Sequence, residues 1–535
     1  MASAAVTRDV LNVTDAIFEP WNRSDAGTRP AIYYRDSVWS YQQLIAEINR
    51  VGNGLGQLGV AREDRVVLIG YDSPFFVAVL YGAMKIGAVP VPVNTSLKPE
   101  DYQYFLEDSR AQVLVVEPEI WRDLAPVIGQ RMPHLKWVII LPGLETAAVQ
   151  ANGYPGPLLF YQDWVAIMAS NLTAVPTLPD EMAFWLYSSG STGRPKAAVH
   201  CHKDMLFCNR VYGQDVLGIS EHDRLYSASK LYFAYGLGNG SYFAFANGAS
   251  VVLVPEKVEP QAVMDTIVQT QPTLFFGVPT LYNAMLRTKG DYHFPTVREC
   301  VSAGEPLPAE IYTRWKDRFG VEIVDGIGST EVLHIYISNR PGQSRPGVTG
   351  RIVDGYEAKI VNENGYPVEP GAVGDLMVKG DSIAAFYWNQ AAKTRASMIG
   401  EWFRTGDKFA MDDEGYLYYA GRSDDMIKAG GIWVSPAEVE GALLMHRAVA
   451  EAAVVGAANG HGLEKPVAFV VLVPDVSPSE ALKDDLCQVV RSHLAHFKVP
   501  REIYFVSELP KTASGKIQRY RLRLSLASRD APTEG

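Results

Sequence analysis

The sequence predicts an α/β protein: a large N-terminal domain of α/β layers with a β subdomain, followed by a small α+β C-terminal domain. Short β-rich runs alternate with longer mixed segments through most of the chain, the pattern of largely buried strands separated by helices. Around residues 350–420 the texture changes to shorter runs with turn signals, Asn362-Glu363-Asn364-Gly365 and Asp412-Asp413-Glu414-Gly415, which suggests an antiparallel β subdomain. The length of 535 residues exceeds what one core accommodates, so at least two domains are expected.

Taken in order, the strand expectations fall at Arg65-Gly70, Gln112-Glu117, Trp137-Leu141, Ser250-Pro255, Thr273-Val278 and Val321-Asp325. The apolar stretch Phe75 to Val93 is broken by Lys85, Gly87, Pro90 and Pro92, so it reads as a buried helix followed by a strand, not as a membrane span. A strand over Tyr416-Tyr419 leads into Gly421-Arg422-Ser423-Asp424-Asp425, and a Gly-Gly turn follows at 430 and 431. That places a boundary after residue 423, with domains at 1–423 and 424–535. Beyond it, Ser435-Pro436-Ala437-Glu438 reads as a capping box with proline at the first helical position. Strands are then expected at Glu451-Gly456, Val467-Val473 and Ile503-Val506, and the polar tail from Ser525 to Gly535 is expected to fray.

Composition narrows the function. With 47% hydrophobic and 20% charged residues the chain should be soluble and globular, and its net charge of -11 argues against nonspecific nucleic-acid binding. An anionic ligand therefore needs a local basic site. Cys201, Cys208, Cys300 and Cys487 lack the paired spacing of a metal knuckle and read as free thiols, which suits a cytoplasmic protein. The segment Met1 to Val10 has no apolar core, so no secretory signal is expected. His200 and His202 have no third ligand in view and read as structural.

The most informative stretch is Tyr187-Ser188-Ser189-Gly190-Ser191-Thr192-Gly193-Arg194-Pro195-Lys196. Glycines let backbone amides turn toward an anion, hydroxyls add donors, and Arg194 and Lys196 supply charge, so it reads as a phosphate cradle. Its spacing fits neither a Walker loop nor a dinucleotide fingerprint, and a polar surface turn is the alternative reading. A second cluster, Asp325-Gly326-Ile327-Gly328-Ser329-Thr330-Glu331, ends in a hydroxyl and a carboxylate that suit a nucleotide bound with Mg2+. Thr405-Gly406-Asp407, Gly421 to Lys428 and Pro510-Lys511-Thr512-Ala513-Ser514-Gly515-Lys516-Ile517 follow.

In this order and at these separations the motifs resemble the adenylate-forming superfamily of acyl-CoA synthetases, luciferases and carrier-loading adenylation domains, from about Trp39 to Arg523. Ala197 departs from the family's glycine after the loop lysine. Three stretches are most similar to benzoate-CoA ligases: Lys230 to Asn239, Ser302 to Pro308, and Gly328 to Ile335. The resemblance implies an ATP-dependent, AMP-forming aryl-CoA ligase acting on benzoate or a hydroxy- or aminobenzoate, with Mg2+ and coenzyme A. Carrier-protein loading and a non-catalytic nucleotide sensor are the alternatives. It implies no nucleic-acid or membrane partner and leaves a homodimer open.

It also implies roles. Ser188, Ser189, Gly190, Ser191, Thr192, Gly193 and Lys196 would hold the β- and γ-phosphates, Thr330 the α-phosphate and Glu331 the Mg2+. Asp407 would accept the ribose hydroxyls beside Arg422, with Glu305, Asp325, Gly326 and Ile327 flanking adenine. Phe233, Ala234, Tyr235, Gly304, Ile327, Gly328 and His334 match positions around the aryl ring; by residue type alone, His334 and the aromatics read as core. Lys516, on a mobile loop, would bridge the substrate carboxylate and the α-phosphate. Rotation of a mobile C-terminal domain about Asp424 would then bring in Lys428, Gly430, Gly431 and Trp433 for coenzyme A, with Phe497, Lys498 and Arg501 as further contacts.

Overall fold

Nine strands build the largest sheet of the computed structural model, in the order 351–352, 335–338, 323–328, 299–302, 274–277, 224–227, 250–253, 30–34 and 37–40. The structure describes residues 9–22, 24–128, 132–143, 149–151, 153–188, 195–423, 425–429, 432–458, 464–474, 476–511 and 517–529. The six strands from 323–328 to 30–34 run parallel and the edges antiparallel. A second sheet of five parallel strands is ordered Val89–Pro92, Arg65–Ile69, Val113–Val116, Trp137–Ile140, Leu158–Phe160. Fully buried runs such as Val113–Val116 belong to a sheet covered on both faces.

The stretch from Phe75 to Val93 forms a helix and a strand as expected. Pro74 opens the helix Pro74–Lys85, the Ser73 hydroxyl accepts from the Phe76 amide, and the chain re-emerges as Val89–Pro92. The change of texture after 350 is a five-stranded antiparallel sheet of Glu357–Val361, Gly374–Lys379, Met398–Ile399, Trp402–Met411 and Leu417–Arg422. Gly421 and Arg422, expected in a connecting segment, are the end of its last strand. Among the described residues no helix is long and apolar enough to cross a membrane, and all four cysteines are free.

From Ile427 onward the chain builds its own apolar clusters on the sheet Val449–Ala458, Glu464–Leu472, Glu502–Phe505. Two expectations are corrected here. The Ser435 hydroxyl caps Glu438 N–H, but the Glu438 carboxylate is engaged with Lys498 at 2.6 Å, so the reciprocal half of the capping box is not made. Of the tail expected to fray, residues 525–529 belong to the helix Arg519–Arg529, because Leu522 and Leu526 share one face and pack on Ala453, Val455 and Phe469; residues 530–535 lie outside the described residues. Asn283 and Arg287, on the helix Pro279–Arg287, donate to the Val449 and Ala450 carbonyls and tie this unit to the large sheet.

Candidate active site

Parallel strands 274–277, 299–302 and 323–328 lie side by side with Phe276 opposite Val301 and Ser302 opposite Asp325. Whatever follows each strand therefore arrives at one sheet edge, the carboxyl edge where open α/β sheets bind ligands. Val278, Gly304 with Glu305, and Thr330 with Glu331 all come to this edge.

The phosphate-cradle sequence is the tip of a hairpin. Met182–Ser188 pairs antiparallel with Lys196–Cys201, and Ser188 stands opposite Lys196. Residues 189–194, which include Ser189, Gly190, Ser191, Thr192 and Gly193, lie outside the described residues. The ends of the loop are fixed: the Tyr104 hydroxyl donates to Pro195 O at 3.0 Å and Tyr187 to Asp108 at 2.6 Å. Ala197 is buried inside the second strand and its carbonyl accepts from Trp388 N–H, so the departure from the family's glycine falls in the sheet, beyond the loop.

Lys196 Nζ lies 2.6 Å from Glu331 Oε1 and 2.7 Å from the Tyr387 hydroxyl, which itself donates to Glu331 Oε1 at 2.9 Å. The Ser188 hydroxyl approaches the same oxygen at 3.4 Å. Burial alone would raise the Glu331 carboxyl, but the Lys196 ammonium and the Tyr387 hydroxyl outweigh it and hold the carboxyl below its ordinary value. Thr330 begins the short turn that carries Glu331, and its carbonyl is 2.8 Å from His200 Nε2. His200 also meets Asp204 at 2.8 Å, and His202 Nδ1 accepts from Val13 N–H, so both histidines are structural, as expected. Among the described residues no group of three or more His, Cys, Asp or Glu side chains forms a metal cage. A single buried carboxylate beside a phosphate site fits Mg2+, which keeps its waters and takes substrate phosphates.

Asp407 and Arg422 face each other across antiparallel strands, 3.2 Å apart, with Asp407 buried. Gly406 between them and Thr405 has φ +79°, and a Cβ there would meet Arg422 Nη2 at 3.1 Å. Asp325 is buried, and desolvation pushes its carboxyl well above its ordinary value.

Of the residues expected around the aryl ring, Tyr235, Gly328 and His334 meet from distant segments. Ala234 and Tyr235 open the short helix Ala234–Leu237 after Phe233. The Tyr235 hydroxyl donates to Val301 O at 3.1 Å, which anchors it at the strand edge, and its ring lies 5.6 Å from the His334 ring. A Cβ on Gly328 would meet His334 O at 2.6 Å, so the strands close up only with glycine there, while Gly304 needs glycine for its φ of +94°. Ile327 pairs with Ile337, and the register shifts before Gly328, which pairs with Ile335. His334 is buried, 3.1 Å from Asn239 Oδ1 through Nε2, and burial pushes its pKa down to about 3, leaving the ring neutral.

Asp424, Gly430, Gly431 and Lys516 lie outside the described residues, as do the side chains of Lys428 and Trp433, whose backbones pair in a hairpin. The remaining residues expected at coenzyme A are spread over a short turn: Phe497 packs on the C-terminal core, Lys498 is paired with Glu438, and Arg501 N–H donates to Pro466 O. Sequence reasoning missed Tyr387. It lies 191 residues from Lys196, and only the pairing of Phe386–Tyr387 with Lys196–Cys201 brings the two together.

A lysine at the base of a hairpin held on a buried glutamate, an aspartate–arginine pair, and loops that converge on one edge of a parallel sheet fit an adenylate-forming enzyme. The chain belongs to the AMP-binding enzyme family, which it matches over residues 18–388, with the AMP-binding enzyme C-terminal domain over residues 438–516. It is 46% identical over 503 residues to a benzoate–CoA ligase of Thauera aromatica, covering 92% of each chain. In structure it is similar to an anthranilate CoA ligase solved with anthranoyl-AMP (TM-score 0.92, 39% identity, 99% of this chain and 100% of that one). It is also similar to a benzoate CoA ligase from Burkholderia xenovorans LB400 (TM-score 0.88, 40% identity, 96% of this chain and 100% of that one).

Proposed function

We propose that the protein joins benzoate, or a hydroxy- or aminobenzoate, to coenzyme A in an ATP- and Mg2+-dependent reaction through an enzyme-bound acyl-adenylate. AMP and pyrophosphate are the other products. The observation that carries this reading is that Tyr235, bonded to Val301 O and 5.6 Å from the His334 ring, comes to the sheet edge that also presents Thr330 and Glu331. A carboxylate must attack the α-phosphorus, so two anions meet, and electrostatic compensation is the main demand on the protein.

In this reading Lys196 and the hairpin tip hold the polyphosphate, Thr330 orients the α-phosphate, and Asp407 takes the ribose hydroxyls while Arg422 fixes its carboxylate. Glu331 is the residue that would hold Mg2+, whose charge would offset that of the phosphates. Tyr235 and the neutral His334 ring give the aromatic acid flat faces without placing a second cation near its carboxylate. Lys516 supplies the charge between the two anions. Residues 1–423 and 424–535 act as two bodies joined at Asp424, and rotation there exchanges Lys516 for the 428–433 hairpin when the thiol arrives.

Pyrophosphate release measured with a panel of carboxylic acids, with and without coenzyme A, tests this. Benzoate-type acids should give a single stoichiometric burst without coenzyme A and continuous turnover with it. Turnover with a holo-carrier protein but not with coenzyme A, or a preference for straight-chain acids, would overturn the reading.

A further inference from the structure

Three donors, Lys196, Tyr387 and Ser188, converge on the same oxygen of Glu331, Oε1, and the lysine and the tyrosine also bond to each other. Lysine can only donate, so the Tyr387 hydroxyl accepts from Lys196 and gives its single hydrogen to Glu331. Tyr387 is held for this task. Its strand pairs with the cradle hairpin, its N–H donates to Thr394 Oγ1 at 3.0 Å, and it is 2% exposed. Yet the proposed function gives both ends of this chain other partners, the polyphosphate for Lys196 and Mg2+ for Glu331.

We propose that Lys196, Tyr387 and Glu331 form an exchange latch that couples nucleotide binding to Mg2+, with Tyr387 as its positioning residue. The latch rests on the site roles proposed above. When the polyphosphate draws Lys196 away, Glu331 loses its countercharge beside a second anion, which is unfavourable unless a divalent cation arrives with the nucleotide. Tyr387 keeps its bond to Oε1 during the exchange and so presents Oε2 to the metal. Metal-free nucleotide is thereby penalised, and the cation and nucleotide bind as a pair.

Isothermal titration calorimetry with a non-hydrolysable ATP analogue, in excess Mg2+ and again in excess EDTA, tests the latch on the full-length enzyme. Glu331→Gln keeps the shape but removes the charge that restrains Lys196. The variant should bind the metal-free analogue roughly tenfold more tightly than the wild type, on the scale of a hydrogen bond to a charged group, and should lose most of the gain that Mg2+ gives. Tyr387→Phe should weaken binding of the Mg2+-bound analogue by roughly fivefold while changing metal-free binding much less, because the hydroxyl's hold on Oε1 orients Oε2 for a cation that is present only in the first condition. The KM for the aryl acid should stay unchanged in Tyr387→Phe. Glu331→Gln binding the metal-free analogue no better than wild type, or Tyr387→Phe losing equally in both conditions, would overturn the latch. Nucleotide binding unaltered by either variant in both conditions would overturn the site roles on which the latch rests.

Discussion

Ala234 tests whether one side chain sets substrate choice. It is buried where Phe233 hands over to the short helix, so Ala234→Leu adds bulk to the proposed aryl site. Overpacking a filled site costs roughly 1–3 kcal/mol, which lowers kcat/KM for benzoate by about five- to a hundred-and-fifty-fold. Steady-state kinetics should place that loss on the aryl acid and leave the KM for ATP near its wild-type value; the opposite split would remove Ala234 from the pocket. Glu117 poses a different residue-scale problem. It is buried at the end of the strand Val113–Val116, its Oε1 accepts from the Tyr71 N–H at 2.9 Å, and burial pushes its carboxyl up to about 8. Between its unfolded value of 4.5 and about 8 the folded protein holds a proton that the unfolded chain has released, so this group makes stability fall as pH rises through that window. Glu117→Gln removes the dependence and keeps the acceptor. The apparent melting temperature of the variant should match wild type at pH 5 and exceed it at pH 8, by a margin reflecting roughly 3 kcal/mol; equal shifts at both pH values would contradict it.

At the scale of elements, the C-terminal helix Arg519–Arg529 is pinned by charge as well as by leucines. Arg519 makes bonds of 2.7 and 2.8 Å to the two oxygens of Glu440, on the helix Pro436–Leu444, and Arg523 reaches Asp425 at 2.9 Å. Removing one partner of a buried pair costs about 3–5 kcal/mol because the other charge is stranded. Arg519→Met should therefore loosen the C-terminal unit, so limited proteolysis would release fragments cut after residue 423 while the N-terminal body stays intact. Cleavage spread evenly along the chain would rule this out. This helix was also the element least legible in the sequence. Its Arg, Leu and Ala residues favour a helix locally, but what fixes it is a sheet assembled from strands about twenty to seventy residues earlier, which receives Leu522 and Leu526. The parallel strands were legible because burial on both faces leaves continuous apolar runs such as Val113–Val116. Within the site the same division holds. Ser188, Lys196, Glu331 and Asp407 could be read from motifs, whereas Tyr387 could not, since its partner is fixed only by the pairing of two remote strands. The half-formed cap at Ser435 failed for a tertiary reason as well, with Glu438 drawn to Lys498 instead.

Across the whole molecule the two half-reactions place opposite demands on one site. Adenylation needs a cation between the carboxylate and the α-phosphate, and thioester formation needs that place cleared for a thiol. Lys516→Ala should therefore lower adenylate formation by roughly a hundredfold or more, comparable with losing one preorganised donor, yet largely spare thioester formation from supplied benzoyl-adenylate. Asp424→Pro should do the reverse, because fixing φ at the pivot penalises rotation of the C-terminal body while the adenylating arrangement stays available. Asn283 and Arg287 donate to the Val449 and Ala450 carbonyls, and the rotation proposed about Asp424 would have to break these contacts. Pyrophosphate release and single-turnover thioester formation, measured separately on both variants, check the pair. If both variants lost both half-reactions in equal proportion while their melting temperatures stayed at the wild-type value, neither the assignment of Lys516 to the first step nor the pivot at Asp424 would stand.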